Sequence, residues 1–558
     1  MKRLLFLALL ITSHLSLLTA SAQPGWAKKA SKSVFTLKTF DEKGTLLASA
    51  TGFYVGTDGE AFSCFAPFKG ASRALVIDAA GKEHAVSYML GANETYDVAR
   101  FRVEGGKTQP LGVAPSMAQT QASVWLLPFR ETKNVPHGII TKTETFQEHY
   151  GYYTVALAMP EGAAGAPLLN DEGAVVAIMQ QPYGQDTLSY AVSARFADSL
   201  RISGLSINDP VLRSTRIKKA LPDDVAQAQL TLYMASAQMD SAAYAALVDD
   251  FIGKFPTAHE GYVTRAQLAA DNNHCDQADR DMALALKVAD NPDEVHYSFS
   301  RMIYQKALSG AQDGLGGWTM ERALEEAQAA YSQNPQPVYL HQQAIVAFAQ
   351  KRYDDAYQLY QKISNTPLRS AEMFYEAALC KKLAGDTVTH LALLDSCVAQ
   401  LSRPLLKEAA PCLLACAQDK MSVGRNREAV TLLNDYEQLM AAQVNDQFYY
   451  LRFTAELDGK LYQQALNDIT KAISISPANE IYHAEKASLQ VRVGLYDDAI
   501  ETAMGCIGVA PDSSNGYLFL GLAQCLKGQK DEGVKNLMKA RELGDPQADE
   551  LIEKYSKE

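Results

Sequence analysis

The chain has 558 residues, of which 47% are hydrophobic and 21% are charged. One hydrophobic core does not accommodate this length, so we expect roughly three to five structural units. The composition is ordinary and contains no low-complexity run, which predicts large buried cores. The formal net charge of −12 at pH 7 argues against nucleic acid or an anionic membrane as the main partner.

Residues 1–22 have the pattern of a secretory signal peptide. A basic start and an apolar stretch precede the small residues Ala20 and Ala22, which predicts cleavage after Ala22. His14 and two serines interrupt the apolar stretch, so a membrane anchor is the weaker interpretation. No other apolar run has membrane length. We therefore expect no membrane span in the mature chain and a periplasmic or extracellular location, in a bacterium.

The next part of the chain is rich in short β-type runs separated by turn signals such as Asp58-Gly59 and Glu172-Gly173. This spacing is typical of an all-β barrel or sandwich. The predicted strands include residues 33–40, 74–77, 86–90, 98–103, 123–127 and 152–157.

Residues 161–170, EGAAGAPLLN, are followed by a turn at residues 171–173 and an apolar strand at residues 174–178. This stretch resembles the nucleophile segment of trypsin-like serine proteases, most closely the Do-type periplasmic ones, with its GNSGGPL pattern. In that comparison Ala164 occupies the position of the nucleophilic serine. A methyl group cannot attack a carbonyl carbon, so the resemblance implies a protease fold without its nucleophile.

Other segments follow the same family in the same order. Residues 51–55 resemble its opening strand, and residues 63–71 align with its histidine segment through their shared Gly-Ala end, which puts Ala66 at the general-base position. Residues 96–103 resemble the strand that supplies the orienting aspartate, here Asp97. The resemblance therefore implies a trypsin-like double barrel over residues 23–203.

The predicted catalytic positions of this domain are thus degenerate: Ala66, Asp97 and Ala164. Cys64 is the nearest substitute nucleophile, but a reactive thiolate needs a cation beside it. The histidines of the domain, His84, His137 and His149, lie outside the motif segments. We expect a buried structural cysteine, solvated histidines and a hydrogen-bonded structural role for Asp97.

Residues 204–222 lose the β-type pattern and contain Pro210 and Pro222. We predict a linker between domains here. Its four basic residues are interpreted as a solvated face: Arg213, Arg216, Lys218 and Lys219.

Residues 223–558 show helical spacing and a period of 34 residues. Ala465, Ala499 and Gly533 are 34 residues apart, as are Pro477 and Pro511. This pattern resembles the tetratricopeptide repeat, a helix-turn-helix unit that stacks into a solenoid with a concave surface.

Within these repeats Tyr517, Leu520 and Gly521 match the family's opening motif, with tyrosine in place of tryptophan. We expect seven to nine repeats, an irregular stretch around residues 308–318, and first helices that begin near Tyr449, His483 and Tyr517.

Seven of the eight cysteines lie in the helical part. Cys412 and Cys416 share a helix face, but no third metal ligand is evident near them in the sequence. Cys380 with Cys397, or Cys506 with Cys525, are candidate disulfide pairs that spacing alone does not establish. We predict no metal and no cofactor.

The combined architecture is expected to be multidomain, with an all-β trypsin-like double barrel followed by an all-α tetratricopeptide-repeat solenoid. The favoured function is a secreted, non-catalytic protein-binding or scaffold protein, whose partner is a protein or peptide on the concave face of the repeats. The alternative is an exported trypsin-like serine peptidase homologue with residual or unrecognised proteolytic activity.

Overall fold

The computed structural model describes residues 23–131, 133–181, 188–309 and 317–557. The predicted signal peptide, residues 1–22, lies outside the described residues. The chain divides into two compact units: the first runs to Asn272 and includes Gln277–Ala289, and the second comprises Asn273–Asp276 and Asp290–Glu558.

The first unit begins with a closed, antiparallel six-stranded barrel of strand order β1-β2-β3-β6-β5-β4. Its strands are β1 Val34–Phe40, β2 Leu46–Tyr54, β3 Glu60–Ser63, β4 Arg73–Ile77, β5 Glu83–Asn93 and β6 Val98–Val103. Aromatic and branched side chains that alternate along the strands, such as Phe35 and Leu37 on β1, fill its interior.

A second closed barrel follows, with strand order β10-β11-β12-β9-β8-β7. Its strands are β7 Ser123–Leu126, β8 His137–Phe146, β9 Tyr150–Ala156, β10 Pro167–Leu169, β11 Val175–Met179 and β12 Leu188–Ser193. The two barrels confirm the predicted trypsin-like double-barrel fold. The barrels share a hydrophobic cluster in which Phe53 and Phe62 of the first pack with Trp125 and Leu169 of the second.

Residues 211–220, the middle of the segment 204–222 that was predicted as a linker, pack against the first barrel. Leu212 and Ile217 are buried in the core of that barrel. The N–H of Met89 on β5 donates to the Lys218 carbonyl (2.8 Å), and its carbonyl accepts from the Ala220 N–H (2.9 Å). We call residues 204–222 the connecting segment.

The basic residues of the connecting segment differ in exposure. Arg213, Arg216 and Lys218 are exposed, as expected for a solvated face. Lys219 is half-buried, and burial lowers the pKa of its ammonium group.

The described secondary-structure elements from Val225 onward are helices and confirm the predicted all-α C-terminal part. The helices are Val225–Ser236, Ser241–Lys254, His259–Asp271, Cys275–Val288, Pro292–Leu308, Met320–Gln333, Pro337–Ala349, Tyr353–Ile363, Ala371–Leu383, Thr387–Ala399, Ala410–Ser422, Asn426–Met440, Asp446–Asp458, Tyr462–Ile475, Glu480–Arg492, Tyr496–Val509, Ser514–Leu526, Lys530–Glu542 and Ala548–Ser556. Most of the predicted irregular stretch, residues 310–316, lies outside the described residues.

In the last three repeats the first helix begins at Asp446, Glu480 and Ser514, which keeps the 34-residue period. Each begins three residues before the predicted start. Side-chain caps explain the difference in two cases, because the Asn445 and Asn479 side chains accept hydrogen bonds from the first turns of their helices.

The small residues that recur every 34 positions lie where two helices are in close contact. Ala465 and Ala499 are fully buried. At Gly533 an added Cβ would lie 2.7 Å from the Gly521 carbonyl oxygen of the partner helix and 2.4 Å from the Cys525 Sγ. A larger residue would therefore force this helix pair apart.

Candidate functional site

Asp97 and Ala66, two of the predicted triad positions, lie beside each other in the first barrel. The Oδ1 atom of Asp97 accepts hydrogen bonds from the backbone N–H groups of Ala66 (2.7 Å) and Phe65 (2.9 Å). Ala66 is exposed and begins a short 3₁₀ helix, Ala66–Phe68. The aspartate is thus bonded to the main chain of the segment in which a catalytic histidine would stand.

The environment of Asp97 is partly desolvated. Burial raises the pKa of its carboxyl group, and the N–H donors of Ala66 and Phe65 with the charge of Lys69 offset only part of that rise. Its φ of +46° is in the left-handed region, which a residue other than glycine adopts only where its surroundings hold it there. These contacts agree with the expected hydrogen-bonded, structural aspartate.

The loop that carries Ala164 is held against the first barrel by its backbone. The Ala164 carbonyl accepts from the Thr51 N–H (2.8 Å), and the Gly162 carbonyl accepts from the Thr51 Oγ1 hydroxyl (2.7 Å). Gly162 and Gly165 both have φ near +80°. At Gly165 an added Cβ would lie 2.2 Å from the Thr51 carbonyl oxygen. Only glycine permits this approach of the loop to strand β2.

Ala164, Cys64 and Ala50 pack together in one small buried cluster at the junction of the barrels. Because Cys64 precedes Ala66 by two residues, the fold brings the predicted base and nucleophile segments to the same place. We call the cluster, with Ala66 and Asp97 beside it, the barrel junction.

Cys64 has the properties of a structural thiol. It has no solvent exposure. Burial, followed by the negative charge of Asp97, raises the pKa of the Cys64 thiol to about 12. A thiol with such a pKa is protonated at neutral pH and is a poor nucleophile.

The histidines of the domain have other partners. His84 Nε2 lies 3.2 Å from Asp78 Oδ2, and its ring is half-buried rather than solvated. His149 is exposed, and its carbonyl accepts a hydrogen bond from Arg195. His137 is exposed as expected, and its Nε2 lies 2.8 Å from Ser123 Oγ.

His137 belongs to a Ser-His-Asp group that the sequence did not reveal. The Ser123 hydroxyl contacts His137 Nε2 and also lies 3.0 Å from Asp171 Oδ1, which accepts from Trp125 Nε1 (2.7 Å) as well. Here the serine lies between the other two residues. A catalytic triad needs the histidine between them, so that the base can take the serine proton, and this group therefore lacks the required order.

The barrel junction retains two free backbone donors. Among the described residues, neither the Gly162 nor the Ala164 N–H donates to a protein acceptor. In a serine protease, donors two residues apart at the nucleophile stabilise the oxyanion. The two N–H groups have this spacing, whereas the side chains of the junction offer no activated nucleophile.

A second candidate site lies in the helical part, in a groove of about 330 Å³. The first helix Asp446–Asp458 contributes to its lining together with the second helices Asn426–Met440 and Tyr462–Ile475. We call it the Arg452 groove, and its charged lining residues are Glu437, Arg452, Glu456, Asp468 and Lys471.

Arg452 is the centre of a buried hydrogen-bond network. Its guanidinium group donates to both carboxylate oxygens of Asp468 (2.5 and 3.1 Å), to Glu437 Oε2 (2.6 Å) and to Asn434 Oδ1 (2.9 Å). Burial would raise the pKa of Glu437, but hydrogen bonds from Arg452 and Tyr449 outweigh burial and lower it. Four of the five N–H donors of the guanidinium group are therefore bonded to side chains of the protein.

Glu456 is the exception in this network. Burial, followed by the charge of Asp468, raises the pKa of Glu456 to about 8. It is therefore largely neutral at pH 7, and the two cations Arg452 and Lys471 balance the two anions Glu437 and Asp468.

The same groove recurs one repeat later, with a volume of about 400 Å³. Its lining residues Lys486 and Gln490 stand 34 residues after Arg452 and Glu456. Two buried acceptors occupy equivalent positions in the two grooves: Glu456 Oε2 and Gln490 Oε1 have no hydrogen-bond partner among the described residues. Buried acceptors of this kind favour a donor group from water or from a ligand.

Comparison with known proteins finds different relatives for the two parts of the chain. Residues 50–178 match the family described as "Trypsin-like peptidase domain". The Rv3671c protease from M. tuberculosis, in its active form, is a similar solved structure, with 18% identity, a TM-score of 0.28, and coverage of 32% of this chain and 82% of that chain.

The helical part is similar to curated tetratricopeptide-repeat proteins. Small glutamine-rich tetratricopeptide repeat-containing protein 2 of Saccharomyces cerevisiae is 30% identical over 95 residues, which are 17% of this chain and 28% of that protein. The TPR repeat-containing thioredoxin TDX of Arabidopsis thaliana is 31% identical over 86 residues, which are 15% of this chain and 22% of that protein. The chain spans less than a third of these relatives.

The chain thus combines a trypsin-like peptidase domain with tetratricopeptide repeats, as the sequence predicted. Its N-terminal part has the trypsin-like fold, and its C-terminal part is an array of helical repeats.

Proposed function

We propose that this chain is an exported, non-catalytic protein-binding protein in which the trypsin-like domain has lost its chemistry. The observation that supports the proposal is the barrel junction, which brings together Ala66 and Ala164, the two residues that the motif resemblance puts at the base and nucleophile positions. Asp97 remains, but an aspartate without its histidine activates nothing. Binding and oxyanion stabilisation alone provide only a small part of a serine protease's rate.

The test is hydrolysis of casein and of a fluorogenic peptide library by residues 23–558. We expect no turnover, and none after the single substitution Ala164→Ser, because a serine without a base remains a weak nucleophile. The double variant Ala66→His, Ala164→Ser shows whether the rest of the site persists. Turnover by the unmodified chain that disappears in Cys64→Ala or Asp97→Asn would overturn the proposal.

The alternative, an exported peptidase homologue with residual activity, is favoured by one observation, the free Gly162 and Ala164 amides. Serine- and cysteine-directed covalent probes separate the two functions. A labelled residue in the trypsin-like domain, blocked by a peptide competitor, would support the peptidase. Without labelling, the amides remain a means of binding a peptide carbonyl.

The partner, we propose, is an extended peptide or protein tail that binds the concave face of the repeats, on the first helices. Peptides selected from a random library against residues 23–558 provide a probe, and hydrogen exchange locates them. Protection of Asp446–Asp458, Glu480–Arg492 and Ser514–Leu526 is the expected result. Protection confined to residues 162–165 would instead assign binding to the barrel junction.

Export is the remaining part of the proposal. The signal-peptide pattern of residues 1–22 supports it, and the described helices include none that is both long and apolar enough to span a bilayer. N-terminal sequencing of the protein from the periplasmic or culture fraction should begin at Gln23. Retention of Met1 in a cytoplasmic fraction would contradict export.

A further inference from the structure

Three cysteines from two neighbouring helices meet in the second unit. Cys397 lies near the end of Thr387–Ala399, whereas Cys412 and Cys416 lie one turn apart on Ala410–Ser422. The Sγ–Sγ distances are 2.8 Å for Cys397–Cys412, 3.6 Å for Cys397–Cys416 and 3.9 Å for Cys412–Cys416. The candidate disulfide partner Cys380 is not part of this group. The third ligand that the sequence did not show is therefore Cys397.

The triangle of sulfur atoms fits a metal ion. Zinc–thiolate bonds of about 2.3 Å in tetrahedral geometry separate two sulfur atoms by about 3.8 Å. Two of the three distances, 3.6 and 3.9 Å, already have this value. The third pair, Cys397 and Cys412, is 2.8 Å apart and needs to separate by about 1 Å when the ion binds.

The burial of the three thiols favours a divalent ion over a monovalent one. Cys397 and Cys416 are buried, and Cys412 is the partly exposed member. Three thiolates with a monovalent cation leave two uncompensated charges in an apolar cluster, whereas a divalent cation leaves one. The nearest buried cation, Lys420, is already paired with Asp395 and Glu428. A soft divalent ion therefore suits the site best.

We propose that Cys397, Cys412 and Cys416 form a zinc site with three thiolate ligands and a water molecule on the Cys412 side. On binding, the three thiols release their protons to solvent and their sulfur atoms donate to the ion. The ion then joins two helices that belong to consecutive helix pairs, and so stabilises this part of the array. The site is independent of the proposed loss of protease chemistry.

The test uses residues 23–558, purified under reducing conditions without a chelator. We expect one zinc ion per chain by elemental analysis, and a thiolate-to-cobalt charge-transfer band after replacement of zinc by cobalt. Cys397→Ala, Cys412→Ala and Cys416→Ala should each weaken zinc binding at least about tenfold in competition with a chromophoric chelator. Cys380→Ala, which removes a buried thiol outside the group, is the matched control and should bind zinc unchanged.

A measurement on the unmodified chain covers the case in which a variant fails to fold. Zinc should protect the three thiols, and only these, from alkylation, as read by peptide mass spectrometry. Zinc-dependent protection of other cysteines, a lack of stoichiometric zinc, or a Cys397–Cys412 disulfide in the chain isolated without a reductant would each overturn the proposal.

Discussion

The barrel junction and the Arg452 groove are organised in opposite ways. At the barrel junction the backbone is elaborate, with left-handed glycines and two hydrogen bonds to Thr51, while the side chains at its centre are two alanines and a protonated cysteine. In the groove the backbone is ordinary helix, and the side chains form a buried charged network around Arg452.

This difference shows which kind of interaction stabilises each region. The junction depends on close backbone packing, because Gly165 allows an approach to Thr51 that no other residue permits. The groove depends on ion pairing, because each buried ion there is stabilised by oppositely charged side chains. Replacing a glycine should therefore destabilise the junction, and replacing a charged side chain should destabilise the groove.

The largest effect is expected from Arg452→Ala in the groove. It leaves the buried carboxylate of Asp468 and the adjacent Glu437 without their main cation, which should lower the free energy of unfolding by about 3–5 kcal/mol. Urea unfolding followed by circular dichroism measures the change. Lys486→Ala, at the equivalent position one repeat later, is the control and should change stability by less than about 0.5 kcal/mol. Equal losses in both variants would refute the central role of the network.

At the barrel junction, Gly165→Ala should cost about 3–4 kcal/mol of unfolding free energy. The added methyl group combines an unfavourable φ of +80° with a clash against the Thr51 carbonyl oxygen. Gly162→Ala separates the two causes, because its φ of +77° is similar but no atom lies within 4 Å of the added Cβ. That variant should lose only about 1 kcal/mol. If both variants unfold alike, the close approach does not stabilise the junction.

The connecting segment is stabilised by a third kind of interaction, apolar packing. Leu212→Ala should destabilise the first barrel by about 2–4 kcal/mol, because Leu212 is buried in its core. The exposed neighbour Arg213 is the control, and Arg213→Ala should change stability by less than about 0.5 kcal/mol. For the same reason a fragment of residues 23–205 should be less stable than one of residues 23–222. A stable, fully β-rich 23–205 fragment would show that the segment acts only as a linker.

The smallest effect concerns the pH dependence of the groove. The pKa of Glu456 is about 8 in the folded chain and near 4.5 in the unfolded chain, so between these values the native state holds a proton that the unfolded state has lost. The stability from Glu456 is therefore full below about pH 4.5 and is lost as the pH rises through about 8. Relative to Glu456→Gln, the wild type should lose about 1–3 kcal/mol between pH 5 and pH 7, because two pH units in this range correspond to about 2.7 kcal/mol.

Unfolding of both proteins from pH 5 to pH 9 measures this difference. Glu501→Gln, in the neighbouring groove, removes an exposed carboxylate and should leave the pH profile unchanged. A Glu456→Gln profile parallel to that of the wild type would show that Glu456 is ionised throughout.

Some elements could not be recognised from the sequence pattern, and there is a physical reason in each case. Strand β8, His137–Phe146, was not predicted, because most of its side chains are exposed and polar and so resemble a loop. The helix starts were predicted three residues late, although Asn445 and Asn479 are recognisable N-caps. Cys397 escaped notice as a ligand because it is 15 residues from Cys412 and on another helix.

The sequence by itself determined the order of motifs and the repeat period, because both depend on local chemistry: glycines in required turns, and small or apolar residues at helical spacing. Through the resemblance of these motifs to known families, it predicted the double barrel and the helical repeats, and it put the expected triad positions at Ala66, Asp97 and Ala164. Only the tertiary structure decided which side chains meet. The raised pKa values of Cys64 and Glu456, the burial of the connecting segment and the group of three thiols depend on contacts between distant segments, which no local pattern encodes.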